Sequence, residues 1–336
     1  MKQNLVLVFL LLLLSISCAK QEKKINGISF VASRDSIRDI HVAPVVKTNA
    51  SHVALMPFGF VRELNNPEIV FNSKRQWFGE TKKGVEFEAS QFKKSSIESM
   101  VKPQLWISRG VFTGAIQLKS DAEWELFEKS YEQFILTYAA AAESAKASMF
   151  CIGTELEKFV LARPLFWSQL IAKVRKIYSG KLTYAANWDE YKRVPFWKDL
   201  DFIGIDAYFP LTDKQTPTVL DFEKGWATHK NEIARLQRQI GKPVLFTEYG
   251  YRSVDYTGDK PWESDRIAGK VNIEAQQNAL QAIHNQFWNE SWFAGGFLWK
   301  WFHEHERAGG EKNNRFTPQN KATEKLLEQL YLQKKG

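Results

Sequence analysis

The chain has 336 residues, 44% of them hydrophobic and 14% aromatic, which supplies enough apolar surface for a large core and excludes a disordered polypeptide. The formal net charge is +8, but basic and acidic residues are interleaved without a basic stripe, which argues against nucleic-acid binding. Two cysteines, Cys18 and Cys151, are too few for a disulfide framework.

Residues 1–17 read as an export signal, with Lys2 as its positive start, an apolar run from Leu5 to Leu14, and the small residues Ser15 and Ser17 before Cys18. The run is shorter than the roughly 20 residues that a membrane-spanning helix needs. It resembles a bacterial lipoprotein signal in which Cys18 becomes the lipidated first residue, although Ser15 stands where such signals usually carry Leu. An ordinary cleaved signal is the alternative. Lipid on Cys18 would tether the protein to the bacterial cell envelope, facing the periplasm or the cell exterior, and would leave Cys151 as a buried small hydrophobe. Residues 18–24 form a polar tether, and a single folded unit is expected over residues 25–336.

From there, short β-branched and aromatic runs alternate with helix-period segments, the order of successive βα units around a parallel sheet. The expected strands are Gly27 to Ala32, His52 to Phe60, Gln104 to Ser108, Met149 to Thr154, Leu182 to Asn187, Phe202 to Tyr208, Val244 to Tyr249 and Gly295 to Trp301. Their number fits a closed (β/α)8 barrel, the TIM-barrel α/β fold. The clearest helices are Ala122 to Ser148, Leu165 to Tyr178, Asp221 to Ile240 and Asn272 to Trp288, with Gly180 and Gly241 as stops. Asn65 to Lys94, containing Pro67, Trp77 and Phe78, reads as a long connection of the kind that builds binding surfaces.

Two strands place a glutamate at or near their end: the fourth in Gly153-Thr154-Glu155 and the seventh in Thr247-Glu248-Tyr249. The C-terminal strand ends form the catalytic face of such barrels, so carboxylates there are candidates for chemistry. Cleaving a glycosidic bond requires two: one protonates the leaving oxygen and the other attacks the anomeric carbon or activates water. Either residue alone serves equally well as a rim ion pair; the matched pair favours catalysis.

Thr154-Glu155, Thr247-Glu248-Tyr249-Gly250, Asp201 to Pro210, and Phe316 to Lys321 resemble glycoside hydrolase family 113. The resemblance runs from about Ile25 to Leu330. It implies a retaining hydrolase with Glu155 as acid/base and Glu248 as nucleophile, and an endo-β-1,4-mannanase activity on polysaccharide. Thr154 departs from the wider clan, in which Asn commonly precedes the acid/base and touches the sugar 2-hydroxyl. A different β-glycan (glucan, galactan or xylan) and a non-catalytic surface glycan-binding lipoprotein are the alternatives.

Trp106, Asn187, Trp188, Tyr208, Trp299 and Trp301 fall within or just beyond the later halves of the strands, and with Thr154 form the candidate sugar-binding set. Aromatic rings pack on the C–H faces of sugars while polar groups take the hydroxyls. The family likeness implies that Trp299 lies beneath the sugar at the cleavage point, with simple core packing as the alternative. Trp301 serves equally well as core, and Tyr208 either orients the nucleophile or fills the barrel. Asp206, on the same strand face as Tyr208, meets either substrate or a basic neighbour, and Arg109 meets either a carboxylate or solvent. His303-Glu304-His305 lacks the spacing that puts two histidines on one helical face, so no metal is expected. Gly295-Gly296 and Gly309-Gly310 lack the setting of a phosphate cradle, so no nucleotide cofactor is expected either. The protein is expected to be a monomer.

Overall fold

The computed structural model describes residues 23–333; the export signal, Cys18 and residues 19–22 of the tether lie outside the described residues. The strands are β1 (Ile25–Phe30), β2 (His52–Leu55), β3 (Phe58–Val61), β4 (Glu98–Val101), β5 (Gln104–Ile107), β6 (Met149–Thr154), β7 (Lys181–Asn187), β8 (Ile203–Asp206), β9 (Val244–Tyr249) and β10 (Phe293–Trp301). The helices are α1 (Asp39–Lys47), α2 (Lys82–Lys94), α3 (Asp121–Ser144), α4 (Glu157–Ala162), α5 (Pro164–Ile177), α6 (Val219–Ile240), α7 (Ile273–Phe287) and α8 (Ala322–Gln333).

Eight parallel strands close into a barrel in the order β1-β10-β9-β8-β7-β6-β4-β2. Its strands are buried on both faces, and β1, β6 and β9 are buried at every position. That is why they read as continuous apolar runs with no clean alternation. Ile25, Ala54, Met100, Met149, Cys151, Ala185, Leu245 and Phe297 fill the barrel interior, and a larger apolar layer lies between the strands and the surrounding helices. Cys151 is the fully buried small residue expected there.

Local chemistry sets the helix ends. Ser120 accepts the Glu123 amide at the start of α3, and Thr218 and Asp221 form a reciprocal capping box at the start of α6. Helix α6 stops at Gly241, whose left-handed φ of 77° closes the last turn through a 2.7 Å hydrogen bond from its N–H to the Gln237 carbonyl. Gly180 plays no such part, because α5 has already ended at Ile177 and Tyr178 caps it in an extended conformation. Among the described residues no helix is long and apolar enough to cross a membrane.

The second and third barrel strands correct the sequence expectation. His52 to Phe60 is two strands, β2 and β3, broken at Met56-Pro57, and the third barrel strand is Glu98–Val101, with Gln104 to Ile107 lying beyond it as β5. Proline has no N–H for the ladder, so Pro57 and Pro103 interrupt both strands at the same level. The chain then resumes as a parallel pair, with Phe58 opposite Gln104 and Phe60 opposite Trp106, standing above the closed barrel. The expected long connection over Asn65 to Lys94 is a loop only in its first part; its second part is α2, capped by Thr81.

Candidate active site

Glu248 lies in β9 and Glu155 directly follows β6, so both stand at the C-terminal strand ends. A register shift precedes each. In β9 the pairing with β8 steps from Ile205 opposite Phe246 to Asp206 opposite Glu248. In β6 the pairing with β7 steps from Cys151 opposite Thr183 to Thr154 opposite Ala185. Such irregularities re-aim the side chains that follow. Leu245 points into the barrel, and simple alternation would turn Glu248 outward; the shift turns it inward to the cleft instead.

Glu248 is 6% exposed and fully engaged. Its Oε1 accepts from the Lys102 ammonium and from the Gln104 amide at 2.8 Å, and its Oε2 accepts from the Tyr208 hydroxyl at 2.8 Å. Lys102 also lies 3.3 Å from Asp206, and Asp206 accepts from the Thr247 hydroxyl at 2.7 Å. Lys102 and Asp206 are both at 0% exposure. Burial alone would discharge Lys102, but Asp206 and Glu248 outweigh it and push its pKa up, keeping the ammonium charged. Burial, reinforced by the Glu248 charge, raises Asp206 well above the usual carboxylate range.

Glu155 is half-buried in the same cleft and has no lysine or arginine partner among its described contacts. Burial raises its pKa well above the ordinary value, and the charges of Asp206 and Glu248 raise it further, with Lys102 opposing. The two carboxyls therefore have contrasting surroundings: Glu248 is cradled by donors, and Glu155 is pushed toward its protonated form.

Both line a cleft of about 240 Å³ together with Gln104, Trp106, Phe112, Thr113, Thr154 and Trp299. Trp106, Trp299 and Phe58 are shared with a predominantly apolar groove of about 680 Å³ that continues past the rim, lined also by Phe60, Trp77, Arg75 and Glu80. The groove is framed by the β3–β5 pair and the loop before α2.

The remaining sequence candidates divide. Trp106 and Trp299 line the cleft, and of the two places open to Tyr208 the structure gives it the one beside Glu248, to which its hydroxyl donates. Asp206 meets a basic neighbour, Lys102. Thr154 lines the cleft, but its hydroxyl donates to the Pro103 carbonyl at 3.4 Å. Asn187 and Trp188 stand beyond the lining of this cleft. The Asn187 side-chain oxygen caps the Trp188 amide, and the Trp188 ring stacks on Trp262 with centroids 5.2 Å apart. Trp301 is a correction: it is 0% exposed in the outer core and packs near His305, so it offers no face to a sugar. Arg109 is exposed at a left-handed turn (φ 67°) and meets solvent. His305 pairs with Glu324 and His303 packs edge-on against His41; among the described residues no group of side chains is arranged to hold a metal.

Lys102 and Gln104 were not foreseen. A lysine before a proline reads as an exposed turn, and the polar Gln104 reads as the start of a strand. One signal was available: Leu55-Met56-Pro57-Phe58 and Val101-Lys102-Pro103-Gln104 place proline at the same step of adjacent strands. A charged residue at such a paired break, directly above the barrel interior, is well placed to serve a site.

Barrel enzymes carry their chemistry at this face, and a carboxyl whose surroundings favour its protonated form, sharing a cleft with a second one bound by lysine, suits cleavage between sugars. The class so defined is the (β/α)8 glycoside hydrolases. Residues 32–321 match Glycoside Hydrolase Family 113, and the chain belongs to that family. Among solved structures it resembles the family 113 β-mannanase AaManA from Alicyclobacillus acidocaldarius, with TM-score 0.81 and 23% identity over 93% of this chain and 98% of that one. A second family 113 β-1,4-mannanase gives TM-score 0.80 and 21% identity over 92% and 99% of the two chains. The β-glucuronidase of Faecalibacterium prausnitzii is more distant, at TM-score 0.59 and 15% identity over 93% of this chain and 49% of that one. At these identities the likeness establishes the shared barrel fold. No curated protein sequence matches the chain significantly.

Proposed function

We propose that the protein is a retaining, endo-acting β-1,4-mannanase in which Glu155 is the acid/base and Glu248 the nucleophile. The observation that carries this reading is the contrast between the two carboxyls in one cleft. In the first step Glu248 forms a bond to the anomeric carbon as the glycosidic C–O bond breaks, and Glu155 gives its proton to the departing oxygen. In the second, water attacks the same carbon, yields its proton to Glu155 and releases Glu248. Lys102, Gln104 and Tyr208 hold the nucleophile in place; because they already bind its carboxylate, little reorganisation accompanies the reaction.

The β-1,4-mannan assignment is supported by family membership and by the activity printed for the two structural neighbours. Endo action is supported by the aromatic groove that continues past the cleft, since a polymer needs such a surface on which to lie across the cleavage point. Lipid attachment at Cys18 and residence on the cell envelope are proposed from the signal alone.

The test is hydrolysis of soluble β-mannan by the purified chain, following reducing ends and product sizes. Short oligosaccharides appearing together, with Glu155→Gln and Glu248→Gln each inactive, is the expected result. An unchanged rate in either variant, or release of a single sugar throughout, contradicts the reading.

A further inference from the structure

Glu155 does not sit on relaxed backbone. Its φ is 51°, in the left-handed region that non-glycine residues enter at a cost and keep only where their surroundings fix them. Three hydrogen bonds fix this one. The Glu155 N–H donates to the Ala185 carbonyl at 2.8 Å. On the next peptide unit, the Glu155 carbonyl accepts from the Thr113 hydroxyl at 3.1 Å, and the Leu156 N–H donates to the Tyr184 hydroxyl at 2.7 Å.

The last of these bonds has an unusual second layer. Because the Tyr184 oxygen accepts from Leu156, its own proton must go elsewhere, and it goes to Glu190 Oε1 at 2.6 Å. The other Glu190 oxygen accepts from the Asn187 N–H at 3.1 Å. Tyr184 is 0% exposed and Glu190 1%, and the Tyr184 ring is packed among Trp167, Phe196 and Trp197. Burying a carboxyl is costly unless it is hydrogen-bonded, and both Glu190 oxygens are. Burial pushes its pKa up to about 7.

We propose that Tyr184 and Glu190 are positioning residues for Glu155: Glu190 orients the Tyr184 hydroxyl, which holds the Leu156 peptide and thereby aims the Glu155 carboxyl at the glycosidic oxygen. The proposal rests on the acid/base reading of Glu155. It makes the pair matter in proportion to how much help the leaving group needs. A sugar alcohol leaves only with a proton from Glu155, whereas dinitrophenolate leaves without one.

Tyr184→Phe keeps the ring and removes the hydroxyl. The expected kcat/KM on β-mannan oligosaccharides falls by roughly 10- to 100-fold, a part of the whole contribution of general acid catalysis. With dinitrophenyl β-mannobioside, kcat/KM stays within about 2-fold of wild type, because bond cleavage there needs no acid, while kcat falls because Glu155 must still activate water. Azide restores that kcat and yields the β-glycosyl azide. Glu190→Gln, which keeps an acceptor for the hydroxyl, retains more oligosaccharide activity than Tyr184→Phe.

Equal losses of kcat/KM on both substrates would mean a merely structural role and would overturn the proposal. Should Tyr184→Phe not fold, Thr113→Val removes the other anchor of the same peptide and is held to the same leaving-group contrast. Glu155→Gln separates this inference from the reading beneath it. If that variant lacks the contrast, the acid/base assignment has failed; if it has the contrast and Tyr184→Phe lacks it, only the positioning role has failed.

Discussion

Lys102 and Asp206 lie 3.3 Å apart with neither side chain exposed, and the same ammonium carries Glu248. One cation thus serves two buried carboxylates, with Glu155 in the same field. Removing the cation leaves like charges together at low dielectric. Lys102→Met is expected to destabilise the fold by about 3–5 kcal/mol, the cost of breaking a buried pair by removing one partner. The double variant Lys102→Met/Asp206→Asn should regain part of that stability in denaturant unfolding and regain no activity. Recovery of activity in the double variant would contradict the role given to Lys102.

Gln104 lines the cleft and donates an amide N–H to Glu248 Oε1. Truncation to Ala removes a hydrogen bond to a charged group, worth roughly 1.5–3 kcal/mol, or about 10- to 100-fold in kcat/KM. Steady-state kinetics on mannan oligosaccharides check this, and a change under about 2-fold would remove Gln104 from the account.

With Glu155 proposed as the acid, its raised pKa is expected to set the alkaline side of the activity profile. The first step needs the protonated acid, so activity is present below the Glu155 pKa and is lost as pH rises through it. That loss is expected well above the ordinary carboxyl value of 4.5, because burial and the Asp206 and Glu248 charges hold the proton on. A kcat/KM profile already falling at pH 4.5 would contradict the assignment.

Away from the site, Glu88 in α2 is buried, and its Oε1 accepts from the Ser33 hydroxyl at 2.9 Å. Burial raises its pKa from 4.5 to about 7, so between those values the folded chain binds a proton that the unfolded chain has released. Stability from this group is therefore fully present below pH 4.5 and falls as pH rises, by up to about 1.4 kcal/mol per pH unit until the folded group also ionises. Glu88→Gln should raise the melting temperature at pH 8 and leave it little changed at pH 4. An equal shift at both pH values would show that the carboxyl's ionisation is not responsible.

The barrel was legible because apolar runs and helix stops such as Gly241 report burial and turns directly. The placement of Glu155 and Glu248 at the rim was legible because the first directly follows a readable strand and the second lies near the end of one. The breaks at Pro57 and Pro103 were missed because β-branched and aromatic residues on both sides of each proline look like one continuous strand or hide the shorter half. Lys102 was hidden for a different reason. A lysine's burial depends on partners far away in sequence, here Asp206 and Glu248. The register shifts in β6 and β9 were equally out of reach, since alternation alone gives no sign of where a strand gains a residue. Trp301 shows the converse: its position in the strand suited a sugar platform, and the packing of the outer core took it instead.

Glu248 is proposed to form the covalent bond to the sugar. A fluorine in place of the sugar 2-hydroxyl slows both steps, and an activated leaving group lets the first proceed, so the glycosyl–enzyme ester accumulates. Incubating the protein with an activated fluoro-mannobioside and mapping the peptides by mass spectrometry is predicted to find one sugar adduct, on the peptide carrying Glu248 and assigned to its carboxyl. An adduct on any other residue, or turnover with inverted anomeric configuration and no adduct, would contradict the account.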